Sequence, residues 1–274
     1  MPIRGKPQLA ASILLLIAGQ SASWLSPVLH VQDGKYLTKA LKDIPLVKSV
    51  RERLHAAWSE LPLQVQEAPA YQDLRAFTIA RFPGGAHMLP SPSRGLLLRR
   101  LCTAFEARSV LEVGTFTGYS ALCFAEAGAQ VLSIERCKLQ AAAAREILTQ
   151  TLPRRDISQA AVEVRRGFAS DVLPELAGSE TYDLIHLDAG MKSYMQFLDL
   201  ALGGELLAES GVVLADNVLF RGMVTNASAR VGGRFQRIAE SLHSFNVRYL
   251  QEDPRTQGVI LPHDDGLAVI WPRT

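Results

Sequence analysis

The 274-residue sequence predicts an α/β protein: a doubly wound, mostly parallel sheet of Rossmann-like type with an N-terminal helical extension. Three observations predict it. Short runs rich in Val, Leu and Ile alternate with helical patterns from Ser109 to about Phe245. Most of those runs lack polar alternation, the mark of a sheet covered on both faces. Two late apolar runs, "GVILP" (258–262) and "GLAVIW" (266–271), are separated only by "HDD", a spacing that suits a hairpin with its last strand antiparallel to the rest. Composition agrees, since 48% hydrophobic residues suffice for one sizeable core. A net charge of +2 leaves no basic field for nucleic acid.

The chain begins with Arg4 and Lys6 before "LAASILLLIAG" (9–19), and no Asp, Glu, Lys or Arg occurs from Pro7 to Gln32. A basic start, a short apolar run and the small residues "SAS" (21–23) suit a secretory or organelle-targeting leader. Residues 7–32 almost suffice to span a bilayer, although Gln20, several serines and Pro27 weaken that reading. An apolar helix packed on the domain or on a second subunit fits the same pattern. Residues 1–34 are therefore read as leader or extension. A cytoplasmic location is the default, and organelle targeting or membrane anchoring through this segment is the alternative. Residues 35–274 form the main domain, with N-terminal helices over 35–98 and the α/β core over 99–274.

Lys35 to about Thr78 carries apolar residues at three- and four-residue spacing between charges, as in "VKSVRERLHAAWSEL". "RFPGGAHMLPSPSRG" (81–95) reads as a loop rich in Pro, Gly and Ser, and "GLLLRRLCTAFEA" as a helix packed by its leucines. Strand "SVLEV" (109–113) precedes a helix from about Tyr119, and "AQVLSIE" (129–135) precedes "CKLQAAAAREILTQ". "AVEVRRG" (161–167) leads to a short helix near "SDVLPELA", "YDLIHLDA" (182–189) to one near "YMQFLDLALG", and "GVVLADN" (211–217), after a loop, to "GRFQRIAESLHSF". Cys102, Cys123 and Cys137 are odd in number and without CxxC spacing, which suits buried thiols in a reducing compartment.

Ligands of doubly wound sheets sit at the carboxyl ends of the strands. The endings to weigh are Glu112 with Gly114, Glu135, Gly167, Asp188, and Asp216 with Asn217. "GTFTG" (114–118) fits neither GxGxxG nor a P-loop, so a ligand without phosphate is favoured, and its glycines permit close approach to the backbone. Glu135, 21 residues after Gly114, is placed to accept hydrogen bonds from two ribose hydroxyls; an exposed helix-start residue is the plainer alternative. Glu112 would orient the turn or face a cofactor ammonium through water. Asp188, Asp216 and Asn217 end strands expected to be adjacent. Three oxygen donors without Cys or His suit Mg²⁺, Ca²⁺ or Mn²⁺, while turn capping is what each would do singly. The six histidines, His30, His55, His87, His186, His243 and His263, are scattered, and His186 is expected to be packed or hydrogen-bonded rather than catalytic. Trp24, Trp58 and Trp271 suit core or interface.

"VLEVGTFTGYSAL", "SIE", "YDLIHLDA" and "VVLADNVLFRG" together resemble the cation-dependent class I O-methyltransferases, the family of catechol and caffeoyl-coenzyme A O-methyltransferases. "HMLPSPSRGLLL" and "DPRTQGVILPHDDGLAV" extend the resemblance from about Leu74 to the C-terminus. It implies a seven-stranded class I methyltransferase sheet whose last-inserted strand is antiparallel. It implies contacts to S-adenosylmethionine from Glu112, Gly114, Thr115, Phe116, Ser120, Glu135, Ala169, Asp188 and the Pro90 backbone. Asp188, Asp216 and Asn217 match the family's metal ligands, with Mg²⁺ the expected ion. The implied reaction is Mg²⁺-dependent methyl transfer to a hydroxyl of a small phenolic vicinal diol, such as a catechol or phenylpropanoid, by a protein that resemblance suggests is a homodimer. Asp188 is an implied catalytic residue; Lys192 joins it as the base if the loop or helix start is shifted, and is a solvated surface lysine otherwise; Arg221, in the loop after the metal pair, is the candidate substrate contact. The sequence departs where relatives often carry a lysine three residues after the first metal Asp. Met191 stands there, with Lys192 one step later. A protein of this fold that binds S-adenosylmethionine with altered or lost transfer is the alternative, favoured by Met191; an NAD-dependent enzyme is opposed by "GTFTG".

Overall fold

The computed structural model describes residues 48–58, 61–62, 64–224 and 232–273. The expected leader and the start of the helical extension lie outside them.

Helices α1 (Lys48–Trp58) and α2 (Pro69–Arg81), a 3₁₀ turn (Pro83–Met88) and α3 (Pro92–Ala104) precede the alternating core. The core runs β1 (Ser109–Val113), α4 (Tyr119–Glu126), β2 (Gln130–Glu135), α5 (Lys138–Thr151), β3 (Val162–Arg166), α6 (Ala169–Leu176), β4 (Tyr182–Leu187), α7 (Tyr194–Gly203), β5 (Leu207–Asp216), α8 (Arg234–Val247), β6 (Thr256–Leu261) and β7 (Leu267–Pro272). The seven strands stand in the order β3-β2-β1-β4-β5-β7-β6. β7 is inserted between β5 and β6 and runs antiparallel to both, as expected for the last strand. The order reverses between β1 and β4, which opens the crevice where ligands of such sheets bind. Among the described residues, no helix is long and apolar enough to cross a membrane.

The segment from 81 to 95 is more ordered than its Pro and Gly content predicts. Ser91 caps α3 by accepting a hydrogen bond from the Arg94 N–H (3.1 Å), and Pro92 follows at the first helical position, where its missing N–H costs nothing. β5 begins at Leu207, earlier than its apolar run, and its pairing with β4 shifts register between Tyr182 and Leu184. One turn of π-helix, Arg248–Glu252, extends α8.

Alternation along the strands sorts the core into two layers. Val110, Val131, Leu184, Val212 and Leu214 pack with Leu54, Leu74, Leu97, Leu101, Phe124 and Leu148 from α1 to α5. Leu111, Leu132, Ile185, Leu187 and Val213 pack with Leu173, Leu198, Leu242 and Phe245 from α6 to α8. Leu97, Leu98 and Leu101 are fully buried and seat α3; truncating one of them to Ala costs about 2–5 kcal/mol. The same alternation turns Glu112, Ser133, Glu135, His186, Asp188 and Asp216 toward the layer of α1 to α5. Polar residues thus collect on one face of four neighbouring strands, near their carboxyl ends.

Candidate active site

The turn after β1 is shaped by its neighbours. Gly114 has φ +104°, and a Cβ there would lie 1.9 Å from the Asp188 carbonyl oxygen. The glycine is thus demanded by the crossing of the chain after β4, a tighter constraint than ligand approach. Gly118 (φ +85°) caps α4, and a Cβ there would meet Leu148 at 2.8 Å. Phe116 also adopts positive φ (48°), and its N–H donates to Glu135 Oε2 at 3.0 Å. Glu135 Oε1 accepts from the Cys137 N–H at 2.8 Å. Glu135 is therefore a buried carboxylate facing the turn, not an exposed helix-start residue. Each oxygen keeps a lone pair for a further donor.

Behind this turn runs a chain of buried hydrogen bonds. Thr115 Oγ1 meets Ser133 Oγ at 2.5 Å, Ser133 Oγ donates to Glu112 Oε2 at 2.5 Å, and Glu112 Oε1 lies 3.1 Å from His186 Nδ1. Glu112 is fully buried, with both oxygens engaged, so it braces the turn from behind. Ser120 on α4 and Ala169 at the start of α6 are buried. The Pro90 carbonyl accepts from Arg75 Nη2 at 2.9 Å, and the Phe116 ring tilts against Phe82 with centroids 5.6 Å apart.

The ends of β4 and β5 are less well satisfied. One ring nitrogen of His186 and one oxygen each of Asp188 and Asp216 lie within 4.8 Å of one another. Asp216 Oδ1 accepts from the Asn217 N–H (2.7 Å) and pairs with the buried Arg94 guanidinium (3.3 Å). Arg94 Nη2 also donates to the His263 carbonyl at 2.6 Å, which ties α3 to the β6–β7 turn. Asn217 adopts φ +59°, a left-handed conformation that Asn tolerates. Burial and the Asp216 charge raise the Asp188 carboxyl above its usual range. Burial opposes protonation of His186, but the hydrogen bond and charge of Glu112 outweigh it and raise the imidazole above its ordinary value. Three carboxylates, Glu112, Asp188 and Asp216, gather here, and the Arg94 guanidinium pairs with Asp216 alone among them, so full ionisation of all three would leave the cluster short of positive charge. His186 Nε2, Arg94 Nη1 and the Tyr194 hydroxyl are buried without hydrogen-bond partners. Such a set, acid-rich and with an unused nitrogen donor, fits a divalent cation.

Eight of the expected site residues fall into two groups. Glu112, Gly114, Thr115, Phe116 and Glu135 are joined around the turn, and Asp188 with Asp216 at the neighbouring strand ends, with Asn217 next in the chain. Lys192 is exposed on the 3₁₀ turn Met191–Ser193, while Met191 is half-buried against the α6–α8 layer. Arg221 is exposed, its guanidinium 5.2 Å from the centre of the Phe235 ring and its N–H donating to Asp265 Oδ1 at 3.1 Å. Sequence reasoning missed two members. His186 is packed and hydrogen-bonded as expected, but it also stands beside the two aspartates, and strand alternation with Asp188 was the signal for that. Arg94 lay in a stretch read as loop, and no local pattern announces its pairing with Asp216, which is distant in sequence.

Known proteins share this arrangement of elements. The family model described as O-methyltransferase matches residues 62–272. O-methyltransferase ankF of Aspergillus thermomutatus is 29% identical over 213 residues, covering 74% of this chain and 86% of that one. Mouse catechol O-methyltransferase domain-containing protein 1 is 29% identical, with 77% of each chain covered. The SAH-bound methyltransferase PaMTH1 of Podospora anserina has a TM-score of 0.68 at 24% identity, covering 84% of this chain and 98% of that one, a likeness of fold.

Proposed function

The chain belongs to the O-methyltransferase family and is an S-adenosylmethionine-dependent enzyme of it; we propose that it methylates one hydroxyl of a small aromatic vicinal diol, a catechol or phenylpropanoid, in a reaction that requires a divalent cation, with Mg²⁺ the family's expected ion. The observation that carries this reading is the charge-deficient pair Asp188 and Asp216 beside a phosphate-free nucleoside turn.

In the reaction a carbon–oxygen bond forms as the carbon–sulfur bond of the sulfonium breaks. S-adenosylhomocysteine leaves and the hydroxyl proton goes to a base. Glu135, held by two backbone N–H groups, is oriented to accept ribose hydroxyls. Gly114, Thr115, Phe116, Ser120, Ala169 and the Pro90 backbone line the cofactor's side of the crevice in this reading. Asp188, Asp216 and Asn217 would hold the cation, which when bound lowers the pKa of a chelated hydroxyl. Lys192, exposed on the turn after β4, is the side chain assigned to take the proton. Arg221, held on Phe235, borders the substrate.

A catechol panel with S-adenosylmethionine tests the proposal. Product should form with Mg²⁺, vanish with a chelator and return when the ion is restored. Binding of S-adenosylhomocysteine with no methylation of any vicinal diol would favour the second reading, a cofactor-binding protein with lost transfer, for which Met191 in place of the family's lysine speaks.

A further inference from the structure

His186, like Glu112, lies one residue before the end of its strand, whereas Asp188 and Asp216 stand at or just past the ends of theirs. In register it stands beside Glu112 of β1 and Leu214 of β5, on the face that two residues later carries Asp188 and Asp216. Its ring is completely buried, edge-on to Phe124 at 5.2 Å. Glu112 accepts at Nδ1, so with a neutral ring the proton sits on Nδ1 and the lone pair on Nε2. Nε2 is buried and has no hydrogen-bond partner. A protein seldom leaves such a buried polar atom unused unless a ligand completes it.

The spacing suits a shared ion. Ligand atoms on opposite sides of an ion with bonds of about 2.1 Å stand about 4.2 Å apart. A ring nitrogen of His186 and one oxygen each of Asp188 and Asp216 already lie within 4.8 Å of one another, and Nδ1 is the nitrogen engaged by Glu112. The imidazole is also braced, because Glu112 is fixed by Ser133 and Ser133 by Thr115. A carboxylate on one ring nitrogen with the other nitrogen free is the arrangement that orients metal-binding histidines.

We infer that His186 Nε2 is itself a ligand of the cation site, beside Asp188 and Asp216, and that the site so built favours a borderline first-row ion such as Mn²⁺, Co²⁺ or Zn²⁺ over Mg²⁺. This rests on the reading above that Asp188 and Asp216 hold a divalent cation. Imidazole suits transition ions, whereas Mg²⁺ prefers oxygen and keeps its waters. The Glu112–Ser133–Thr115 chain then joins the ion's nitrogen ligand to the cofactor turn by direct hydrogen bonds.

The test is electron spin-echo spectroscopy of the full-length, untagged chain loaded with Mn²⁺, together with Mn²⁺ and Mg²⁺ titrations. The expected spectrum shows the nitrogen of a directly bound imidazole. The signal should vanish in His186→Gln, which keeps a donor for Glu112, and Mn²⁺ affinity should fall about tenfold or more while Mg²⁺ affinity falls less. Stoichiometric Mn²⁺ that is weakened by Asp216→Asn but shows no nitrogen signal would overturn the histidine ligand and leave the cation site standing. A nitrogen signal that persists in His186→Gln would also overturn it. Mn²⁺ binding that is absent, or equal in Asp216→Asn, would overturn both readings. Should His186→Gln fail to fold, the wild-type spectrum still decides between a bound nitrogen and none.

Discussion

The β1–β2 end of the crevice and the β4–β5 end are built from the same materials and finished differently. At the first, Glu135, Glu112, Ser133 and Thr115 bond to one another, to His186 or to backbone N–H groups. At the second, Asp188 and Asp216 stand close together, one guanidinium pairs with Asp216, and buried polar atoms go without partners. A buried polar group left without a partner costs about 1–3 kcal/mol. The contrast teaches where the protein is complete by itself and where it waits for charge. The first end is a preformed cradle for an uncharged nucleoside edge. In the proposed reading the second is a deficit that a cation would remove.

The comparison can be broken most severely at the deficient end. Asp216→Asn should lower turnover about 1000-fold, since cation stabilisation is worth several kcal/mol, while calorimetric binding of S-adenosylhomocysteine stays near wild type. A parallel loss of cofactor binding would mean that the two ends are one unit. Lys192→Ala should reduce kcat about 100-fold near neutral pH, with partial recovery at higher pH. An unchanged rate and pH profile would remove the lysine from the mechanism.

Smaller effects sharpen the picture. Glu135→Gln should weaken S-adenosylhomocysteine about tenfold, the scale of one charge-assisted hydrogen bond, and leave cation affinity unchanged. The smallest effect concerns the tie that seats α3 beside the site. Burial would raise Asp264, but the His263 ring at 3.1 Å, a hydrogen bond from Ser91 and the Arg94 charge hold it at about 2, below its ordinary 3.8. A depressed carboxyl contributes stability above its unfolded pKa and loses it as pH falls through the folded one. The melting-temperature gap between wild type and Asp264→Asn should therefore be constant above about pH 5 and close as pH falls toward 2.

The fold was legible because the strands are apolar runs, and a sheet covered on both faces needs such runs. β1 and α7 lie where the sequence puts them, and the hairpin that inserts an antiparallel β7 follows from two apolar runs joined by three residues. The start of α3 was hidden by the Pro and Ser content of residues 90–93, although Ser91 and Pro92 are themselves helix-start signals. The start of β5 was hidden by the polar "ES" (209–210). At the site, each strand ending was visible singly, so Glu135, Asp188 and Asp216 could be named. His186 was not, because it lies inside a strand and its meaning depends on which face the strand turns inward. Arg94 was not, because an ion pair between α3 and the end of β5 has no trace in local spacing.

The central claim is that the cofactor end stands alone and the substrate end needs a cation. Titrating catechol into S-adenosylhomocysteine-loaded protein, with and without a divalent cation, tests it most directly. The account predicts that S-adenosylhomocysteine binds equally well in chelator and that catechol binds only when the cation is present. Catechol binding of equal affinity in chelator would contradict it.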